Sequence, residues 1–236
     1  MSTFHFMNKS IITILLCLAG LVLPCANRAD GQTVQKQFQD YKDKAEKGDA
    51  KAQYNLGDCY LHGKGVQTNY VEAFQWFRKS ADQNNALAEC DLGNCYDCGV
   101  GVATDHAEAV KWYQKAAEQN FAPAQFNLGN SYRNGSGVET DYAAAAKWYR
   151  KAAEQNHAWA QFNLAHCYAE GIGVKVDGVE AYAWLTLAAK TDKEAAVSLN
   201  PFRAQLSPEQ VKAAKKRVKE IQAQIEANLK SSASHK

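Results

Sequence analysis

Residues 124–153 read AQFNLGNSYRNGSGVETDYAAAAKWYRKAA, and this stretch decides the fold. Ala124, Leu128 and Tyr132 are spaced four apart, the interval that stacks side chains on one face of a helix. Gly135 and Gly137 then stop that helix, because glycine takes the left-handed conformation that a helix C-terminus needs. Asp141 opens a second helix by offering its side chain to orphan backbone N–H groups, and Ala145, Trp148, Tyr149 and Ala153 form its apolar stripe.

The same unit recurs at an offset of 36 residues. Leu56, Leu92, Leu128 and Leu164 share one column; Tyr60, Tyr96, Tyr132 and Tyr168 share another. Gly63, Gly99, Gly135 and Gly171 form a third, Gly65, Gly101, Gly137 and Gly173 a fourth, and Trp76, Trp112, Trp148 and Trp184 a fifth. Gly57, Gly93 and Gly129 align with Ala165, so eleven of the fifteen glycines stand at repeat-fixed positions. A fixed period of this length is the mark of a solenoid. The second helices start at Asn69, Asp105, Asp141 and Asp177, and Glu72, Glu108 and Glu180 three residues on predict a capping box in three units. No strand-like alternation occurs, so the fold class is all-α: a solenoid of four 36-residue helix-turn-helix repeats with N- and C-terminal capping helices.

The expected division is 1–29 signal peptide, 30–48 N-terminal capping helix, 49–190 four repeats, and 191–236 C-terminal capping helices and tail. Tyr41 and Ala45 align with Phe77 and Ala81, as in a lone second helix of a missing unit. A helix from Asp192 to Leu206 is expected to break near Asn200-Pro201, and Ser207-Pro208-Glu209-Gln210 to start a final one. At the other end, Lys9 precedes the apolar run 11–23, with Pro24, Ala26 and Ala29 beyond. That run is too short for the roughly 20 residues of a membrane span and has the layout of a secretory signal cleaved after Ala26 or Ala29. The expectation is export, to the periplasm or beyond the cell, with membrane contact only through the transient signal.

Charge narrows the partners. The chain of 236 residues has 27 Lys+Arg against 25 Asp+Glu, a net charge of +2, without the basic stripe that nucleic-acid binding needs. The basic run Lys212, Lys215, Lys216, Arg217 and Lys219 suits an anionic surface or acidic partner, but Glu209, Glu220 and Glu226 dilute it into a solvated helix face.

The string A-x-x-x-L-G-x-x-Y-x-x-G-x-G-V followed by D-x-x-x-A-x-x-W-Y-x-K-A-A, seen at 88–117 and 124–153, resembles the Sel-one-like repeat family, relatives of tetratricopeptide repeats. The resemblance covers about 45–190. It implies a right-handed superhelix and a protein-interaction scaffold, often in secreted bacterial proteins. One cysteine-rich secreted branch is linked with penicillin-like compounds, so weak β-lactam binding or hydrolysis is an alternative, and a purely structural envelope spacer another. That branch pairs cysteines eight apart; the matching positions here hold Ala81 and Glu89, Ala117 and Gln125, and Ala153 and Gln161, so its disulfide ladder is absent.

Five cysteines remain beyond the signal: Cys59, Cys90, Cys95, Cys98 and Cys167. Cys90 and Cys98 lie ~12 Å apart along one helix, too far to bridge. Cys95 and Cys98, one turn apart, are the candidate disulfide; packing is the competing reading, since Cys59, Cys95 and Cys167 share a column with Ser131. Redox use is weaker, because this pair sits at a helix C-terminus rather than at the thiolate-stabilising N-terminus. No Ser-x-x-Lys or Gly-x-Ser-x-Gly occurs, His166 and Cys167 point about 100° apart as helix neighbours, and His62, His106 and His157 fall in different columns. No catalytic residue, metal site or cofactor is therefore expected.

The functional candidate is a polar ladder on the first helices: Asn55, Asp91, Asn127 and Asn163, then Asp58, Asn94, Asn130 and His166. Asn and Asp are mediocre helix formers, and Asn both donates to and accepts from a peptide backbone. In superhelices of the resembled kind the first helices line the concave wall, so these rows would hold an extended protein or peptide ligand, with Trp159 as an aromatic anchor and the chain acting as a monomer. The competing reading is a tolerated polar surface copied by duplication.

Overall fold

An apolar stripe on one helix needs a second to cover it, and each unit supplies both. The computed structural model of the protein describes residues 28–233, and among these all regular structure is helical. The segment 1–27, on which the export reading rests, lies outside the described residues. Helix α1 (Arg28–Glu46) is followed by four pairs: α2 (Ala50–His62) with α3 (Tyr70–Ala81), α4 (Ala86–Cys98) with α5 (His106–Glu118), α6 (Ala122–Asn134) with α7 (Tyr142–Ala153), and α8 (Ala158–Glu170) with α9 (Gly178–Ala188). Helices α10 (Lys193–Arg203) and α11 (Pro208–Ala233) complete it. From α1 to α10 each helix packs on the next in sequence, and α11 returns to α9. That nearest-neighbour order is the connectivity of a solenoid of four repeats.

Capping follows the side chains, with one correction. Asn69, Asp105, Asp141 and Asp177 accept from the backbone N–H of Glu72, Glu108, Ala144 and Glu180 at 3.1, 2.9, 2.9 and 3.0 Å. The reciprocal half of the predicted box is absent. The N–H groups of Asn69, Asp105, Asp141 and Asp177 instead donate to the carbonyls of Tyr60, Tyr96, Tyr132 and Tyr168, 2.8–3.0 Å away. Glu108 and Glu180 are thereby released to accept from the indole Nε1 of Trp112 and Trp184, both at 3.0 Å. A second correction concerns Pro201, which lies inside α10 without breaking it. It sits in the last turn, where a missing N–H and a ring clash disturb little helix beyond. Ser207 and Gln210 do form their reciprocal box, at 2.9 and 3.2 Å.

Two kinds of glycine set the spacing. Within a pair, an added Cβ on Gly57, Gly93 or Gly129 would stand 2.6–2.7 Å from the ring of Phe77, Tyr113 or Tyr149. The fourth unit has Ala165 and Leu185 in the same two columns, so the larger small residue accompanies the narrower partner. Between units, the loop glycines press on backbone. A Cβ on Gly101, Gly137 or Gly173 would lie 2.0 Å from the carbonyl oxygen of Tyr70, His106 or Tyr142, at the start of the preceding unit's second helix. All three have left-handed φ, +69° to +72°. Gly65 makes the equivalent approach to Val34 of α1.

A buried polar column runs through the stack. Gln53, Glu89, Gln125 and Gln161 are all nearly inaccessible. The three glutamines donate Nε2 to the carbonyls of Ala45, Ala117 and Ala153, each at 3.2 Å. A second row caps the first: Gln83, Gln119 and Gln155 donate to Gln53, Glu89 and Gln125 at 2.7, 2.6 and 2.7 Å. Glu89 is the exception, having no amide to give Ala81. Burial raises its pKa above the usual carboxylate value, against the opposing pull of Lys115 and the Gln119 hydrogen bond.

Gly137→Ala is expected to cost about 3 kcal/mol or more, because the left-handed φ penalty of about 1–2 kcal/mol adds to a clash with fixed backbone. Gly48, with φ +94° and nothing within 4 Å of an added Cβ, should lose only the φ penalty on the same change. Urea titration of the two variants checks this; equal midpoints would refute the backbone-contact account. For Glu89, a raised folded pKa means that stability falls as pH rises above about 4.5 and the carboxyl ionises. Glu89→Gln should therefore stabilise the protein by about 1 kcal/mol at neutral pH, with the gain shrinking toward pH 4 in thermal melts.

Candidate functional site

The eight ladder residues occupy equivalent heights on α2, α4, α6 and α8, and all are half-buried rather than fully exposed. Their side chains are partly engaged with one another across unit boundaries. Asn127 donates to Asn94 at 3.1 Å and Asn163 to Asn130 at 3.5 Å, while within α4 Asn94 donates to Asp91 at 3.1 Å. Asp58 pairs instead with His62 at 3.2 Å and Lys64 at 2.6 Å. Asn55 takes no part in these bonds.

Sequence reasoning missed the tyrosines that complete this network. Tyr113 and Tyr149 donate their hydroxyls to Asn94 and Asn130 at 2.8 and 2.7 Å, and Tyr54 donates to Asp91 at 3.0 Å. The signal was present in two columns read together. Tyr stands at 113 and 149, where the partner column has Asn; Phe77 and Leu185 accompany Asp58 and His166, which need no phenol. Burial raises the Asp91 pKa, while the Tyr54 and Asn94 hydrogen bonds hold it down.

The apolar part of the face is uneven. Leu87 and Trp159, at the N-terminal ends of α4 and α8, are 46% and 47% exposed. Trp159 belongs to an aromatic group in which Phe126 stacks on His157, centroids 4.9 Å apart, with the indole 6.1 and 6.2 Å from the two rings. His157 also caps α8, Nδ1 accepting from the Ala160 N–H at 3.3 Å, and burial lowers its pKa.

Among the described residues the five cysteines are separate thiols. Cys59, Cys90, Cys95 and Cys167 are buried and Cys98 is exposed; Ser131, which shares the packing column, is buried too. Burial pushes the Cys95 thiol up to about 12 and the Cys167 thiol up to about 11. Thiols held neutral in this way pack well and attack poorly. Among the described residues no three His, Cys, Asp or Glu side chains gather as a metal site would require, and no helix is long and apolar enough to cross a membrane.

Comparison with known proteins identifies the architecture. The Sel1 repeat family model matches residues 50–85, 86–121, 122–157 and 160–190. A Sel1 repeat protein from Oxalobacter formigenes is similar in structure, with 35% identity and a TM-score of 0.69, over 79% of this chain and 76% of that one. A protective antigen present in uropathogenic Escherichia coli strains, displaying an SLR fold, matches at 34% identity and a TM-score of 0.75. The match takes in 83% of this chain but only 44% of the antigen, so the chain spans less than half of that protein's length. Among curated proteins, none matches. Sel1 repeat proteins typically act as protein–protein interaction scaffolds, and the fold is generally non-enzymatic. With four repeats matched over more than half of its length, this chain belongs to the Sel1 repeat family.

Proposed function

We propose that the protein is a non-catalytic scaffold, exported to the cell envelope, that holds a protein or peptide partner along the face of its first helices. The observation that carries the reading is the continuity of that face: half-buried amides and carboxylates recur at equal heights through four units, beside the exposed side chains of Leu87 and Trp159. Exposed large aromatics next to satisfied polar groups are the composition of interface hot spots. The hydrogen bonds among the ladder residues do not exhaust them. A carboxamide has two N–H donors and an oxygen with two lone pairs, so Asn127 and Asn163 keep capacity for a partner's backbone. The export half of the proposal rests on the apolar run 11–23 and its flanks.

A double variant tests the face. Trp159→Ala with Asn163→Ala removes one exposed indole and one long 3.5 Å hydrogen bond, so the thermal midpoint should move by only a few degrees. Loss of an aromatic anchor is expected to weaken a partner by about 2 kcal/mol or more, roughly 30-fold. Crosslinking in the native envelope, followed by recovery with wild-type and variant protein, checks this. Identical recovery of the same partner by both would refute the assignment of the face.

A further inference from the structure

Asp97 and His106 stand in columns whose next members are Arg133 and Tyr142. In the second unit the pair closes on itself, Asp97 Oδ1 lying 2.7 Å from His106 Nδ1. In the third unit the same two places hold a guanidinium and a phenol, and the anion is gone. Arg133 and Tyr142 line an open depression of about 610 Å³ together with His166, Cys167 and Ile172.

Three carboxylates on the first helices of the preceding units are answered locally. Asp58 has His62 and Lys64, Asp97 has His106, and Asp91 is hydrogen-bonded by Tyr54 and Asn94. Arg133 forms no ion pair among the described residues. It hydrogen-bonds the buried Tyr149 phenol, which uses part of its five-donor fork, and its charge opposes the upward push of burial on that phenol and on the Cys167 thiol. At His166 it adds to burial in lowering the imidazole pKa, against the opposite pull of Glu170. A half-buried cation beside a cavity, with its counterpart anion replaced, is an incomplete pair.

We propose that Arg133 receives the carboxylate of an acidic residue in an extended segment of the partner, with Tyr142 and Ile172 forming the apolar wall beside it. This rests on the reading of the first-helix face as a binding surface, and it names what one part of that face selects. A planar guanidinium offers two parallel N–H donors that match one carboxylate. A phosphate dianion would call for a second cation, and His166 is biased toward its neutral form. Asn134 lines the same depression, and its amide is suited to a peptide backbone rather than to a free ion.

The test uses arrays of octapeptides, N-acetylated and C-amidated to remove terminal charges, random except for a central Glu, Gln, Lys or phosphoserine. Wild-type protein should be retained about tenfold more by the Glu set than by the Gln set, and least by the Lys set. Arg133→Gln should abolish the preference for Glu over Gln without reducing retention on the Gln set, and Arg133→Lys should keep part of it. Retention on the Gln set serves as the folding control for both variants. Absence of a Glu preference in the wild type, or its survival in Arg133→Gln, would overturn the proposal while Gln-set binding leaves the binding face standing. Stronger, Arg133-dependent retention on the phosphoserine set would overturn the carboxylate assignment in favour of phosphate. Failure of every set to bind would remove both readings.

Discussion

The rest of the structure depends on one contact, the approach of a loop glycine to the first backbone carbonyl of the preceding unit's second helix. At Gly101, Gly137 and Gly173 an added Cβ would meet that oxygen at 2.0 Å, so each boundary closes to the limit that backbone atoms permit. This fixes the position of one unit on the next, and every column of the repeat inherits its alignment from it. The 3.1 Å hydrogen bond from Asn127 to Asn94 exists only because α4 and α6 are held in equivalent register. A side chain in the loop would separate the units and open that bond before disturbing either helix pair. The Gln125 bonds to Ala117 and from Gln155 depend on the same register.

Inside the units, the columns vary in compensating pairs rather than singly. Gly57, Gly93 and Gly129 lie under aromatic rings, while Ala165 shares its unit with Leu185. The hydroxyls of Tyr113 and Tyr149 are answered by Asn94 and Asn130, and the units without a phenol have Asp58 and His166. A buried hydroxyl without a partner, or a methyl against a ring with no room for it, would each cost on the order of 1–3 kcal/mol. The pairs therefore limit which differences between units are tolerable. They also mark the two middle units of the ladder, where Asn94 and Asn130 accept from the tyrosine hydroxyls behind them.

The parts of this arrangement that sequence reasoning reached are those set by local physics. Helix starts at Asn69, Asp105, Asp141 and Asp177 need only a side chain and the next three residues, and the left-handed glycines need only their own φ. The parts it missed depend on a group far along the chain. The capping box was expected from Glu108, three residues after Asp105; the N–H of Asp105 is instead taken by the carbonyl of Tyr96, nine residues earlier. The burial of Gln53, Gln125 and Gln161 was not read, since a polar side chain announces none. Their partners are carbonyls eight residues back and amides thirty residues on. In the candidate site the eight positions were legible as rows, but their engagement with one another was not, because a one-dimensional repeat does not show which column of the next unit comes within 3 Å.

That engagement bears on how such a face binds. Free asparagine side chains would have to be ordered by an incoming ligand, at roughly 0.5–1.5 kcal/mol for each immobilised side chain. In the middle units Tyr113 and Tyr149 have already done so from behind, holding Asn94 and Asn130 on the covered side. The neighbouring Asn127 and Asn163 are anchored in turn by those same oxygens. A row organised in this way gives up part of its hydrogen-bonding capacity and gains rigidity, so it favours a partner whose polar groups arrive at the unit spacing. Under the proposed binding role, sequence discrimination falls to positions where the columns diverge. Arg133 in place of Asp97, and Trp159 in the column of Leu87, are such positions. Both lie in the C-terminal half of the repeats, the half that the proposed binding role makes selective.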